Sequence, residues 1–147
     1  MKTRITTLLA AFMLISIVTF AQDGFVPSEK LQKELSNEFA QATHIKWEKV
    51  ADYSKASFIQ DGQYFAAYFN ASNQLESISR TISINTLPLI LQKDLKSKVS
   101  GSSWIADCFE FSTENGTDYF VVVENEDQKT IYLADEFSWS VYKKTDK

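Results

Sequence analysis

Residues 56–70 read ASFIQDGQYFAAYFN. Between Tyr64 and Phe69 the chain alternates two sets, Phe65, Ala67 and Phe69 against Tyr64, Ala66 and Tyr68. Period-two alternation of aromatic residues is the signature of a strand with two unlike faces. Asp61-Gly62, set between this run and Ala56 to Gln60, predicts a tight antiparallel hairpin, because both residues tolerate the positive φ that such turns need. The more apolar set, Phe65, Ala67 and Phe69, is the face to be covered by a helix.

A covering helix is at hand. Glu29 to Phe39 places Leu31, Leu35 and Phe39 at every fourth position with Lys and Glu between them, which is an amphipathic helix. Lys46 to Val50 and Leu75 to Ile84 read as further strands, with a turn at Asn70-Ala71-Ser72-Asn73. Then Leu87, Leu91, Leu95 and Val99 repeat the four-residue spacing up to Gly101, with Thr86 as N-cap and Pro88 in the first turn. Trp104 to Ser112, Asp118 to Glu124, Lys129 to Ala134 and Phe137 to Lys143 are the remaining predicted strands, broken at Asn115-Gly116 and Asn125-Glu126-Asp127.

The order helix, strands, helix, strands predicts two repeats, about 25–85 and 86–147, within one domain. Lys33-Glu34-Leu35 matches Lys93-Asp94-Leu95, and Tyr64-Phe65 matches Tyr119-Phe120. The fold class expected is α+β, with both helices on one face of an antiparallel sheet. Carrying the faces through the repeat turns Phe120 and Val122 inward and Tyr119 outward. It likewise turns Ile131 and Leu133 inward with Tyr132 outward, and Phe137, Trp139 and Val141 inward with Tyr142 outward. Five of the six tyrosines then share the open face, and Tyr64, Tyr68, Tyr119, Tyr132 and Tyr142 are the candidate protein-binding residues. Tyrosine offers contact area at low entropic cost and keeps a hydrogen-bonding tip. On this reading Tyr64 and Tyr68 could both be replaced by Ser with little change in melting temperature.

The amino terminus carries an address. Lys2 and Arg4 precede an apolar run from Leu8 to Phe20, closing on Thr19-Phe20-Ala21. This predicts a secretory signal peptide, residues 1–21, cleaved after Ala21, since the run falls short of the ~20 apolar residues of a membrane span. Removing Lys2 and Arg4 takes 15 Lys+Arg to 13 against 19 Asp+Glu, so the formal charge goes from -4 to -6. The product is an acidic exported domain, periplasmic or secreted. With a sequence pI near 5.0 and no basic stripe, nucleic acid is excluded as a partner.

Catalytic designs find little support. His44 is the only imidazole, Cys108 the only thiol, and four glycines leave no phosphate cradle. No catalytic residue, metal ligand set or cofactor is expected. Trp104, Ile105, Phe109 and Phe111 around Cys108 predict a buried, inert thiol. Asn70-Ala71-Ser72 and Asn115-Gly116-Thr117 match the glycosylation sequon but coincide with turns, where Asn is common anyway.

Trp47-Glu48-Lys49, Tyr53, Ala56, Phe58, Gly62, Ala67-Tyr68-Phe69-Asn70, Leu75-Glu76 and Leu87-Pro88 together resemble the PepSY-like, or beta-lactamase-inhibitor-like, family of small exported bacterial proteins. The resemblance covers nearly all of the chain after residue 21 and is most specific between Phe39 and Val99. It implies a tandem helix-plus-sheet fold, no catalysis, and binding or inhibition of another exported protein. Asn73 stands where that family often has Gly, and Asp135-Glu136-Phe137-Ser138 where it has an Asp-x-x-Gly turn. The alternative from a different class is a structural or envelope-stress accessory protein acting by self-association through its sheet edges.

Overall fold

Ser28 starts the first helix: its side-chain oxygen accepts the Leu31 amide at 3.2 Å and its carbonyl accepts that of Gln32. Helix α1 runs Glu29–Glu38 and buries Leu31 and Leu35. A computed structural model describes residues 24–147 of the protein. The signal peptide expected at residues 1–21 lies outside the described residues. The fold is α+β, with two helices and eight antiparallel strands among the described residues, and the order of the strands in the sheet is their order in the chain. These are β1 Thr43–Val50, β2 Tyr53–Gln60, β3 Gln63–Phe69, β4 Leu75–Thr81, β5 Trp104–Thr113, β6 Gly116–Glu124, β7 Gln128–Ala134 and β8 Trp139–Asp146. Among the described residues, no helix is long and apolar enough to cross a membrane. Two compact units divide between Ile78 and Ser79, within β4.

In the first unit α1 covers Ala56 and Phe58 of β2 and Ala67 and Phe69 of β3, with Phe25, Phe39, Trp47, Phe65 and Leu75 around them. Phe58 stacks on Phe65 at 5.6 Å, and Trp47 lies tilted on Phe69 at 5.7 Å. The expected face of β3 is the one observed. The Asp61-Gly62 turn has both residues at positive φ, 52° and 74°, and closes the pair Gln60↔Gln63 as a type I′ hairpin.

The preceding turn is strained. Ala51, between the paired residues Val50 and Tyr53, sits at φ 51°, where its Cβ crowds the following carbonyl. Ala51→Gly is therefore expected to stabilise the fold by about 0.5–1 kcal/mol, the left-handed penalty less the added freedom of the unfolded chain. A higher urea midpoint at unchanged slope would report it, and a lower midpoint would refute it.

The second helix, α2, is Leu89–Lys98. It starts later than the sequence predicts, because Leu87 before Pro88 is held extended at ψ 154° and cannot be helical. Thr86 is not the cap. Its hydroxyl donates to the Ser83 carbonyl at 2.6 Å and closes a single 3-10 turn, Ile84–Thr86. In this second unit Leu87, Leu91 and Leu95 pack on Cys108, Val121, Val123 and Trp139. Trp139 ties β8 to α2: its indole N–H donates to the Leu91 carbonyl and its backbone N–H to the Asp94 carboxylate, both at 2.9 Å.

Here the face assignment made from sequence is overturned. Val121 and Val123 face α2, and Tyr119, Tyr132 and Ala134 pack on the same cluster. Phe120 and Val122, and with them Ile131 and Leu133, are turned to the opposite side. Parity from the turn explains it. In the first unit Phe65 lies two residues beyond the closing pair Gln60↔Gln63, whereas Val121 lies five beyond Thr113↔Gly116. An even and an odd count put the helix-facing residues on opposite sides of otherwise similar hairpins. Phe137 belongs to the β7–β8 turn and is 68% exposed, so it is not inward either.

Candidate functional site

In the first unit the face away from α1 is built from β1, β2 and β3, which place Glu48, Lys55 and Tyr68 side by side through the pairs Glu48↔Lys55 and Lys55↔Tyr68. Lys55 is only 6% exposed, and its ammonium donates to Glu48 Oε1 at 2.7 Å. A lysine so buried needs that carboxylate to offset its lost hydration. Tyr68 is fully buried, and Tyr64 is 66% exposed. At the far end of this face Asn70 donates to Glu76 at 2.9 Å. Burial first, then the Glu76 carboxylate, push the Tyr53 phenol above its ordinary pKa.

In the second unit the face away from α2 is aromatic. Phe109 stacks on Phe120 at 5.2 Å and Tyr142 meets Phe120 edge-on at 5.8 Å, giving a row of three rings. Phe111, Val122 and Ile131 are buried on the same face. Asp118, opposite Phe111, has its carboxyl pushed above the usual carboxylate range by burial, and burial likewise raises the Tyr142 phenol. The expected tyrosines thus divide. Tyr64, Tyr68 and Tyr142 lie on faces away from the helices, while Tyr119 and Tyr132 lie beneath α2.

Sequence reasoning passed over Lys55, Glu48 and the Phe109–Phe120 pair. A signal for the first existed: Glu48 and Lys55 stand two residues out on either side of the pair Val50↔Tyr53, which makes them cross-strand partners once that turn is recognised. The aromatic pair was hidden by the inverted face.

Among the described residues no three His, Cys, Asp or Glu side chains group as a metal site. His44 is exposed on β1 at φ 54°, with Nδ1 3.3 Å from the Thr43 hydroxyl. Cys108 is buried beneath α2, as expected. Asn70 and Asn115 both stand in turns. Asn70 closes its own loop, its Oδ1 accepting the amides of Ser72 and Gln74.

No protein-family model matches the chain, and no curated protein matches it. Solved structures do. The chain is 24% identical to a BLIP-like protein from Bacteroides fragilis, with a TM-score of 0.65 over 84% of this chain and 89% of that one. A DUF2874 family protein from Bacteroides uniformis matches at 13% identity and a TM-score of 0.70, over 82% and 90% of the two chains. A protein from Bacteroides eggerthii described as periplasmic matches at 14% and 0.70, over 84% and 90%. These likenesses establish the fold. The PepSY-like part of the resemblance is matched by no family model.

Proposed function

We propose that the protein is an exported, non-enzymatic binding module that contacts an extracytoplasmic protein through sheet faces turned away from its helices. The observation that carries this is Tyr64, a large aromatic side chain left 66% exposed on the face that α1 does not cover, with the Glu48–Lys55 pair across the neighbouring strands. Tyr64, opposite Ile59, stands four residues along β3 from Tyr68, the cross-strand partner of Lys55, and an exposed aromatic on the same face as a fixed charge pair has the composition of a contact surface. Tyr142, edge-on to Phe120, supplies the corresponding tip in the second unit. The descriptions of the solved neighbours, BLIP-like and periplasmic, support the same reading. Tyr119 and Tyr132, packed beneath α2, are not contact residues in it.

The test is capture of a partner from the source organism's periplasm and medium by the chain from residue 22 onward. Tyr64→Ser is the informative variant. It is expected to abolish capture while changing stability by no more than about 0.5 kcal/mol, because the side chain is largely in water already. Tyr68 cannot serve as its companion, since a side chain with no exposed surface is part of the packing. Capture that survives Tyr64→Ser unchanged would refute this face. Self-association at sheet edges is opposed by the outer strands themselves, β1 carrying an irregularity between Thr43 and Lys46 and β8 carrying Lys143 and Lys144.

A further inference from the structure

Six asparagines fall among the described residues, and they are not chemically equivalent. Asn70 and Asn125 are locked, each Oδ1 accepting two backbone amides: Ser72 and Gln74 for the first, Asp127 and Gln128 for the second. Asn37, Asn70, Asn73, Asn85 and Asn125 are followed by Glu, Ala, Gln, Thr and Glu, whose side chains crowd the backbone nitrogen that follows the asparagine. Asn115 alone precedes a glycine. It is exposed at the tip of the β5–β6 hairpin, and its only hydrogen bond among the described residues uses its backbone amide, which donates to Thr113 Oγ1 at 3.1 Å. Its side-chain amide is therefore free to turn. Gly116 is exposed at φ 136°, with nothing within 4 Å of the place a Cβ would occupy.

We infer that Asn115 is a site of self-modification, its side-chain amide being displaced by the backbone nitrogen of Gly116. The Gly116 nitrogen bonds to Asn115 Cγ, the Cγ–nitrogen bond of the side-chain amide breaks, and ammonia leaves with the proton that the attacking nitrogen gives up. The five-membered imide then takes up one water at either carbonyl. Opening at one restores the chain as aspartate; opening at the other leaves a β-linked aspartyl residue with an extra methylene in the backbone. No oxidant or cofactor enters. Either product places a new negative charge beside Glu114 and ends the Asn115-Gly116-Thr117 sequon, and the β-linked one also lengthens the turn that closes Thr113↔Gly116.

The experiment holds the protein in mildly alkaline buffer at body temperature, with parallel samples in denaturant and of Asn115→Gln. Digestion and mass spectrometry read each asparagine, and an isoaspartate methyltransferase assay reads the β-linked product. The peptide holding Asn115 is expected to gain one mass unit several-fold ahead of the other five. It should divide into aspartyl and β-linked forms, and both should be missing from Asn115→Gln. The inference is overturned if Asn115 in the native protein is unchanged when the denatured sample has converted completely, or if another asparagine converts first. Conversion to aspartate without any β-linked product would overturn the route through Gly116.

Discussion

Trp139→Ala is expected to lower the unfolding free energy by about 3–5 kcal/mol, the range for emptying a buried tryptophan site. Against a total of about 5–15 kcal/mol for an ordinary domain this is a large fraction. Two contributions come from the side chain and are lost in Trp139→Ala, while a third comes from the backbone and is kept by any substitution. Its ring packs among Leu87, Leu91, Leu95, Cys108, Val121 and Val123; its indole N–H donates to the Leu91 carbonyl; and its backbone amide is held by Asp94. Trp139→Phe separates them. It keeps most of the packing and the bond to Asp94 and loses only the indole donor, so a cost nearer 1–2 kcal/mol is expected for the lost bond and the smaller ring. Urea unfolding at constant slope distinguishes the two. If Trp139→Ala cost no more than Trp139→Phe, the ring would not be anchoring the β8 to α2 contact.

That anchor also shows where the sequence was legible and where it was not. Leu91 and Leu95 are found by their spacing, as are Leu31 and Leu35, because a helix repeats its buried stripe every turn whatever lies across from it. Asp61-Gly62 is found because few residue pairs accept positive φ in succession. A strand's inward face is less secure. It depends on an absolute count of residues from the turn, and one residue reverses it. Matching Tyr64-Phe65 to Tyr119-Phe120 fixed β6 by resemblance rather than by counting from Thr113↔Gly116. The error then passed to β7, because Val121 pairs with Tyr132 and partners in a ladder share a face. Two of the five candidate tyrosines were misplaced by that single step. β8 escaped it in part: the ladder shifts register between Ile131 and Tyr132, and Trp139 and Tyr142 lie on the sides expected of them, while Val141, expected inward, is exposed. The late start of α2 has a local cause that the sequence did state, Pro88, which disfavours a helical residue before it.

Cys108 is expected to be nearly inert to iodoacetamide in the folded protein and ordinarily reactive once unfolded. Burial first, and the neighbouring Asp107 carboxylate second, push its thiol from 9.0 up to about 12. Asp107 is fixed in that position because its Oδ1 accepts the Cys108 backbone amide at 2.8 Å. At pH 8 the reactive thiolate is then about a thousandfold scarcer than in a thiol of ordinary pKa. Alkylation of the native protein should therefore follow the opening of the structure and slow when the fold is stabilised. The same shift has a consequence for stability, with a definite sign. The folded state holds the thiol proton more tightly than the unfolded state, so its contribution is complete below pH 9.0 and is lost as the pH rises toward 12. Tyr53 and Tyr142, also raised above their ordinary 10.0, add a loss of the same sign at higher pH. The interval just above pH 9.0 thus isolates the thiol. Cys108→Ala should flatten the stability profile there and leave the steeper fall beyond pH 10.0 in place. If the variant loses stability across that interval as steeply as the parent, the thiol is titrating normally and is not buried as described. A thiol that stays protonated needs no disulfide partner to persist in an oxidising compartment, which fits a single buried cysteine to the proposed exported role.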